Sequence, residues 1–422
     1  MSSAGGTAEA ISSEGGATAE RPCPVCGGRA VEPLQRLEFV VPDGFPLPER
    51  QTVVACRGCG MVYADVAARQ EDYDTFYAAL SRYEDPLSST GSGATPADYE
   101  RLEESAALLS TYVPAKEARL LDIGCAGGGL LRALQRRGYR QLAGLDPAPG
   151  CVRRLAEANL TAYQGLLTRL PPAMGVFDCV SLSHVLEHVL DVARALANLR
   201  SLVREGGLLY VEVPDARRYA EQVNAPSQDF NCEHINHFSL RCLHNALARY
   251  GYAPVASGAR RLRSSAHTWT PAVYSVCRAL APGAAAPPLR PDTELAAAAR
   301  DYFRRAGALM EQIRGRIEAA LQQSPQLALW GCGQLTLRLL AETALARVKP
   351  VLIVDSNPLY HGRTLAGVPI RPPTALRACP QQPVLLATLL HQHEIAAQAR
   401  ALGLPNPLLL LPQPNPAAAP IP

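Results

Sequence analysis

Four cysteines in the first sixty or so residues have the spacing of metal ligands. Cys23 and Cys26 form one Cys-x-x-Cys pair, and Cys56 and Cys59 form a second one. Two such loops supply four thiolates for tetrahedral zinc, and four protein ligands leave no open position for catalysis. We therefore predict a structural zinc ion. Two disulfides are the alternative, which the other cysteines disfavour because they are scattered through core-like segments, as in a reducing compartment.

A glycine-rich turn follows an apolar segment in the middle of the chain. Residues 119–123 include Asp122 and lead into Gly124, Cys125 and three consecutive glycines, and a later apolar segment ends in Asp146. Glycines let a backbone approach a ligand closely, and an acid at the end of the next strand can accept hydrogen bonds from ribose hydroxyls. This pattern predicts a nucleotide-like ligand.

Two further groups of polar residues could do chemistry. Glu233 and His234 lie within residues 230–239, and a second group, Ser183 and His184 with Glu187 and His188, lies at the end of a predicted strand over residues 177–183. In open α/β sheets the carboxyl ends of the strands face the ligand crevice. His188 and His244 lie in helical patterns and are interpreted as surface or packing residues. His391 and His393 have metal-ligand spacing, but only Glu394 adjoins them, which disfavours a metal site.

The elements around these residues indicate an α/β fold. Short strands are predicted at residues 40–41 and 52–54, further strands at 141–146 and 206–214, and helices at 96–112 and 189–203. A long helix over residues 294–323 then precedes a second strand–turn–helix pattern, with strands near 328–330, 350–355 and 383–389. The predicted fold is therefore a Rossmann-like core with a small N-terminal zinc-binding segment and a second, C-terminal Rossmann-like α/β domain.

The chain of 422 residues is too long for one ordinary core. The predicted divisions are a disordered tail (1–20), the four-Cys segment (21–66), a Tyr-rich connector (67–96), a core domain (97–287), a C-terminal helix and domain (288–411) and a second disordered tail (412–422).

The composition excludes several classes of partner. A net charge of +3 gives no electrostatic reason to expect nucleic acid or a membrane surface. No apolar run approaches the ~18 residues of a membrane span, and the first twenty residues lack the hydrophobic stretch of a signal peptide. Together with the cysteine usage, this predicts a cytoplasmic protein.

The core domain closely resembles the class I S-adenosylmethionine (SAM)-dependent methyltransferases. The resemblance rests on Leu121-Asp122-Ile123-Gly124-Cys125, Gly128, Leu145-Asp146, Phe177-Asp178 and Arg204-Glu205-Gly206-Gly207. NAD enzymes usually have Gly-x-Gly-x-x-Gly instead of an acid two residues before the first glycine. The resemblance implies that SAM is held by Asp122, Gly124, Cys125, Gly128, Asp146, Pro147 and Ser183.

The order of the parts resembles the zinc-containing C-methyltransferases that branch nucleotide-activated deoxysugars, over roughly residues 21–400. Its most specific segments are the Cys pairs, Glu233-His234, Phe238-Ser239, Val354-Asp355-Ser356-Asn357-Pro358 and His361-Gly362-Arg363. The resemblance implies a small-molecule substrate, a nucleoside-diphosphate 4-keto sugar, which is methylated through an enolate. It also implies that His234 is the base, that Glu233 orients it or holds a sugar hydroxyl, and that His184 polarises the carbonyl or stabilises the enolate.

The chain departs from that family at several positions. Asn231 and His237 stand where the family tends to have tyrosines, Ala126 replaces a glycine, and the loop at residues 389–394 lacks the family's asparagine. These changes could alter the substrate or the methylated atom, so an O- or N-methyltransferase of a glycan, lipid or natural product remains an alternative. A non-catalytic SAM-fold scaffold is a third reading, against which the intact Asp122, Gly124, Gly128 and Asp146 argue.

Overall fold

The strands of the computed structural model form three sheets within residues 17–80, 91–172, 174–226, 228–263, 268–285 and 287–413, which are the residues the structure describes. The first sheet has the order β1-β2-β3-β4-β10. Its strands are β1 (Ala17–Thr18), β2 (Ala30–Glu38), β3 (Arg50–Cys56), β4 (Val62–Asp65) and β10 (Asn236–His237).

This first sheet is not built from the four-Cys segment alone. Its last strand, β10, comes from far along the chain and pairs antiparallel with β4, with Asn236 opposite Tyr63. The strand predicted at residues 40–41 is wrong, because the Val40 amide instead donates to the Leu337 carbonyl in the C-terminal part of the chain. The disordered tail predicted for residues 1–20 is wrong at its end, since Ala17 and Thr18 pair with β2. Residues 1–16 lie outside the described residues.

The second sheet has seven strands in the order β11-β12-β9-β8-β5-β6-β7. The strands are β5 (Arg119–Ile123), β6 (Gln141–Asp146), β7 (Thr161–Gln164), β8 (Phe177–Ser183), β9 (Val203–Pro214), β11 (Tyr252–Arg263) and β12 (Trp269–Ala279). From β7 to β9 the neighbours are parallel, and β12 is antiparallel to both β9 and β11. The central strands are apolar runs because helices cover both faces of a parallel sheet.

The helices of this part include α2 (Pro96–Tyr112), α3 (Gly129–Arg136), α4 (Pro149–Glu157), α5 (Val192–Leu202) and α6 (Leu240–Ala248). Of these, α3, α4 and α5 follow strands β5, β6 and β8 of the sheet. The bounds predicted for α2 are confirmed: Pro96 occupies its first turn, and the Thr95 hydroxyl accepts the Asp98 amide at 3.3 Å. The predicted connector contains α1 (Gln70–Thr75) and a π-helix (Phe76–Leu80), while residues 81–90 lie outside the described residues.

The C-terminal part begins with the long helix α7 (Leu295–Gln323), close to its predicted bounds. The third sheet follows in the order β15-β16-β14-β13-β17-β18. Neighbouring strands from β16 to β18 in this order are parallel. Its elements are β13 (Ala328–Trp330), α8 (Gln334–Glu342), β14 (Leu352–Val354), β15 (Thr364–Leu365), β16 (Val368–Arg371), β17 (Val384–Leu386), α9 (Gln392–Ala401) and β18 (Leu408–Leu409).

One continuous apolar core joins the three parts of the chain. It contains Val53 of the first sheet, Leu182 of the second, Ile313 of α7 and Leu329 of the third, all of them buried. The tail predicted from residue 412 is described only at Pro412 and Gln413, and the Gln413 amide donates to the Leu389 carbonyl at 3.4 Å. The parts therefore share one core rather than forming separate domains joined by linkers.

Candidate active site

A cleft lies at the carboxyl ends of β5, β6, β7 and β8, with an open volume of about 1160 Å³. The strand order reverses between β5 and β8, which is where open α/β sheets bind their ligands. Most of the predicted SAM-binding residues line this cleft: Asp122, Gly124, Cys125, Asp146, Pro147 and Ser183. Gly128 is not part of the described lining. It is the residue just before α3, has φ 75° and packs against Leu155, so it supports the turn on the side away from the cleft.

The turn after β5 is held by Asp146 at the end of β6. One carboxylate oxygen of Asp146 accepts the Ala126 amide at 2.9 Å, and the other accepts the Ala148 amide at 3.0 Å. A carboxylate can accept about four hydrogen bonds, so capacity remains for a ribose diol. Gly124 has φ 69°, and a Cβ there would lie 2.5 Å from the Val185 side chain. The turn therefore requires glycine at residue 124.

Ala126 and Asp122 complete the floor of the cleft. Ala126 has φ 46°, a left-handed conformation that favours the glycine found in the resembled class and that costs alanine about 1 kcal/mol. Asp122 lies inside β5 and accepts the Ser181 hydroxyl at 2.7 Å. Burial raises the pKa of Asp122 to about 7, and it also raises the pKa of Asp146. The cleft floor thus carries carboxyl groups that a bound cation would help to ionise.

His184, one of the predicted catalytic residues, is held between two carboxylates. Its Nδ1 lies 3.1 Å from Glu187 Oε1 and its Nε2 lies 3.5 Å from Glu212 Oε1. Burial alone would lower the pKa of His184, but the neighbouring carboxylates of Glu187 and Glu212 raise it to about 9. His184 lines the cleft, with both ring nitrogens near carboxylates of this chain.

Glu212 is the centre of a buried polar network behind the cleft. It is fully buried in β9 and accepts hydrogen bonds from Ser183 Oγ at 3.0 Å, Tyr210 OH at 2.8 Å and Arg260 Nη1 at 2.9 Å. Burial opposes ionisation, yet His184 and Arg260 hold the pKa of Glu212 well below its usual range. The network ties β8, β9 and β11 together and so fixes where Ser183 faces the cleft.

Glu187, His188 and His234 form a cluster beside the same cleft. One potential ligand atom from each residue lies within 4.8 Å of the other two. The His188 and His234 rings are in edge contact at 4.7 Å between centroids, and Tyr77 OH lies 2.7 Å from His188 Nδ1. His188, interpreted from the sequence as a surface or packing residue, lines the cleft together with Tyr77. His234, the predicted base, belongs to this group by the contact of its ring with the His188 ring.

Glu233 points away from its neighbour His234. Its Oε1 accepts the Gln334 side-chain amide at 2.6 Å, and it lines a second cleft of about 1200 Å³ at the carboxyl ends of β13, β14 and β17. Asn231 holds this loop, since its Oδ1 accepts the Glu233 and His234 amides at 2.8 and 2.9 Å. The structure therefore separates the predicted Glu–His pair: His234 packs against His188 at the wall of the first cleft, and Glu233 lines the second.

The second cleft repeats the backbone geometry of the first. One Asp355 oxygen accepts the Cys332 amide at 2.7 Å and the other accepts the Asn357 amide at 2.7 Å, just as Asp146 accepts Ala126 and Ala148. The Gly331 amide donates to the Val354 carbonyl at 2.8 Å, the same distance as from Gly124 to Leu145. Both clefts thus pair a strand-end acid with a glycine turn.

The four predicted zinc ligands converge in the first sheet. The Sγ atoms of Cys23 and Cys59 lie 3.5 Å apart and those of Cys26 and Cys56 lie 3.4 Å apart, with all four within 4.8 Å of one another. A tetrahedral zinc ion with bonds of about 2.3 Å sets its sulfurs about 3.8 Å apart. These separations fit zinc and are far longer than a disulfide bond of about 2 Å.

Sequence reasoning missed several residues of the first site. Tyr77 and Asp74 line the cleft from the segment interpreted only as a connector, and Arg101 of α2 also lines it. Arg101 bonds to Asp98 at 2.9 Å and lies 3.8 Å from Glu212. The sequence does place His188 in the polar group at this strand end, although it is interpreted there as a surface or packing residue. No sequence signal marks Glu212 and Arg101, since they meet only in the folded chain.

Comparisons with known proteins agree with this geometry in the middle of the chain. Residues 97–257 match the family described as "Methyltransferase domain". This part of the chain is therefore a SAM-dependent methyltransferase domain.

The similar curated proteins are named as ubiquinone biosynthesis O-methyltransferases. One from Methylocella silvestris is 40% identical over 103 residues, which are 23% of this chain and 40% of that protein. Another from Xylella fastidiosa is 34% identical over 113 residues, or 24% and 44% of the two chains. The chain therefore matches less than half the length of these relatives.

Solved structures that resemble part of this chain include SAM-dependent methyltransferases. A SAM-dependent methyltransferase from Clostridium acetobutylicum is 11% identical with a TM-score of 0.36, covering 44% of this chain and 93% of that one. One from Mesorhizobium loti is 18% identical with a TM-score of 0.34, covering 42% and 99%. Among the described residues, no helix is both long and apolar enough to span a membrane.

Proposed function

We propose that the protein transfers a methyl group from SAM to a carbon atom of a nucleotide-linked keto-deoxysugar, through an enolate. The observation that carries this proposal is the Glu187–His188–His234 cluster, which stands beside the cofactor cleft and adjoins a second cleft of nucleotide-binding form. SAM supplies an electrophilic methyl group on its sulfonium. The protein must orient the acceptor and make it lose a proton.

The first cleft is assigned to SAM. The Asp146 carboxylate, fixed by two backbone amides, is placed to receive the ribose hydroxyls. The glycine turn lets the amino-acid part of SAM approach the backbone. Ser183, held by Glu212, lies at the far side of the cleft. These positions leave Tyr77 and His188 facing the acceptor.

An enolate requires a ketone next to the methylated carbon, since an ordinary C–H bond is far too weakly acidic. The side chains that can promote loss of this proton are the imidazoles of His188 and His234 with Tyr77. His184 contributes a fixed positive charge nearby, which favours the anionic acceptor. The predicted role of His234 as the base remains part of this proposal.

The second cleft is assigned to the nucleotide of the acceptor. Asp355 there holds the same pair of amides as Asp146, and Glu233 reaches into the cleft beside Gln334. We expect Asp355→Asn to weaken binding of a nucleoside diphosphate by roughly 10-fold or more, as loss of one charged hydrogen bond costs about 1.5–3 kcal/mol. The affinity of this variant for SAM should be unchanged. Asp146→Asn should instead weaken SAM binding and leave the affinity for the nucleoside diphosphate unchanged. Calorimetry of both variants with both ligands measures this, and equal losses would contradict the assignment.

The four-Cys site is assigned to structural zinc. Its donor set of four thiolates is that of closed zinc sites, which stabilise folds and take no part in catalysis. The ion would join the loops before β2 and after β3.

O-methylation is the second candidate. It is favoured by the names of the similar curated proteins, which match about a quarter of this chain. Such a reaction needs an acidic hydroxyl rather than a ketone, and the same histidines could promote loss of its proton.

The decisive experiment combines SAM carrying an isotope-labelled methyl group with a panel of nucleotide-linked 4-keto sugars. A label on carbon, lost in His234→Ala but retained in His244→Ala, is the expected result. His244 is a suitable control because it bonds to Ser275 away from both clefts. SAM binding without transfer to any keto sugar would refute carbon methylation, and a label on oxygen would establish the second candidate.

A further inference from the structure

We propose that Glu187, His188 and His234 bind a divalent first-row transition-metal ion at the wall of the cofactor cleft. This ion would be distinct from the zinc of the four cysteines. The proposal rests on the proposed function only for the role of the ion, since binding can be tested without catalysis.

The donor set is two imidazoles and one carboxylate. Their potential ligand atoms lie within 4.8 Å of one another, and His188 Nε2 is 4.0 Å from Glu187 Oε1. Bonds of about 2.0–2.2 Å from nitrogen and oxygen to one ion need separations of roughly 3.0–3.5 Å. Shifts of about 1 Å in side chains close these gaps. Two nitrogens and one oxygen suit Zn²⁺, Fe²⁺ or Co²⁺ better than Mg²⁺ or Ca²⁺.

The surroundings of His188 prepare its second ring nitrogen to ligate. Its Nδ1 lies 3.1 Å from the Glu233 carbonyl oxygen, which can only accept, and 2.7 Å from the Tyr77 hydroxyl oxygen, which can accept too; a ring hydrogen on Nδ1 serves both oxygens. Nε2 is then the nitrogen with a lone pair, and it is the one that faces Glu187. Histidines that bind metals commonly donate their other N–H to a backbone carbonyl in this way.

Glu187 supplies an independent indication. Its side chain is 1% exposed, and its Oε1 is bonded to His184 Nδ1. Its Oε2 is buried without a hydrogen-bond partner among the residues that the structure describes. A buried carboxylate oxygen without a partner raises the free energy of the folded state, and a bound cation removes this penalty. His184 acts on the other oxygen as the outer partner that orients a ligating carboxylate.

Three protein ligands leave coordination positions open, unlike the closed four-Cys site. Because His188 lines the cleft, those positions are accessible from the acceptor side. A ketone or hydroxyl oxygen of the acceptor can occupy one, and the ion then acidifies the adjacent C–H or O–H as a Lewis acid, with the proton passing to solvent water in the open cleft. In this metal-bound state His188 and His234 act as ligands, so the ion replaces the role of His234 as the base in the proposed function.

The test is metal binding by the full-length protein. Protein purified with one zinc ion per chain is titrated with Co²⁺, followed by calorimetry and visible absorption. One further equivalent should bind with the weak absorption of nitrogen and oxygen ligands, without thiolate charge-transfer bands. Glu187→Gln and His188→Gln should weaken this binding at least ~100-fold, since losing even an outer-shell partner costs 10- to 100-fold. His244→Gln should bind as the wild type does.

Folding and catalysis are controlled separately. Each variant is accepted only if its zinc content and SAM affinity match the wild type. No second equivalent in the wild type, or unchanged Co²⁺ binding in Glu187→Gln, overturns the site. Methyl transfer that persists after the second ion is removed overturns its catalytic role. A methyltransferase inactive on every acceptor but binding Co²⁺ as expected would refute the proposed function alone.

Discussion

Asp122 is a carboxyl that folding places in an apolar strand at the floor of the cofactor cleft. Burial raises its pKa to about 7, from an ordinary value of 3.8. Between these values the folded state binds a proton that the unfolded state has lost, so the contribution of Asp122 to stability increases as pH falls below about 7. Above pH 7 the ionised group is a cost to the fold.

We expect Asp122→Asn to reduce the gain in stability that the protein shows between pH 8 and pH 6. The free energy of unfolding from urea titrations at both pH values measures this. Asp178→Asn is the matched control. Although partial burial raises the pKa of Asp178, the Arg119 amide and Arg204 hold it below its usual value. Its removal should leave the change between pH 8 and 6 intact, and an identical change in both variants would contradict the assignment.

His237 is a second buried group with consequences at the residue scale. It is fully buried, and neither ring nitrogen has a hydrogen-bond partner within the described part of the chain. Burial, with the charge of Arg21, lowers its pKa to about 3. Its ring packs on Phe230 at 4.0 Å and lines neither cleft, so the departure from the resembled family at this position does not act on the acceptor.

We therefore expect His237→Phe to stabilise the protein by about 1 kcal/mol. An unsatisfied buried polar group costs about 1–3 kcal/mol, part of which is lost to the larger ring. Thermal and urea unfolding measure the change, with methyl transfer unaltered. A loss of stability would mean that the nitrogens are satisfied in solution, for example by buried water.

At the scale of elements, Glu212 joins three strands and α2. Its carboxylate bonds to Arg260 of β11 and to Ser183 of β8, and Arg260 also reaches Glu104 at 2.7 Å. We expect Glu212→Gln to destabilise the protein by about 3–5 kcal/mol, because Arg260 then keeps only its pair with the exposed Glu104 and His184 only its pair with Glu187. Urea unfolding measures the loss. Glu38→Gln, which breaks the exposed pair with Arg36, should cost less than about 1 kcal/mol. Similar effects of the two variants would refute the role of the buried network.

Strand β10 connects the zinc site to the chemistry at the same scale. It continues the chain directly after His234 and pairs with β4, which follows Cys59 closely. The Asn236 side-chain amide also donates to the Leu186 and Val189 carbonyls at 2.7 Å, which positions the turn carrying Glu187 and His188. The first sheet thus positions both halves of the cluster.

For the whole molecule, this connection predicts that loss of zinc impairs methyl transfer without direct contact between the two sites. We expect Cys56→Ser to lower zinc content to below one per chain and to increase hydrogen exchange in β3, β4 and β10. Transfer should fall at least ~10-fold, while exchange in β13, β14 and β17 stays unchanged. Cys379→Ser, at a half-buried cysteine outside the cluster, is the control. Full activity in a zinc-free variant would contradict the prediction.

The sequence by itself determined the positions of those residues whose roles depend on local spacing. The Cys-x-x-Cys pairs, the glycine turn and the strand-end acids each occupy a few consecutive residues or a strand and its turn, and the structure places them as expected. Amphipathic periodicity likewise determined α2 and α7, because burial of one face follows the helical repeat.

Only the tertiary structure decided how the acceptor side of the site is composed. Adjacent residues on an extended loop project to opposite sides, so Glu233 turned to the second cleft while His234 met His188. Glu212, Arg260 and Arg101 meet only when β9, β11 and α2 pack together. Spacing cannot show such long-range contacts, because they arise from the pairing of distant strands that bury a common core.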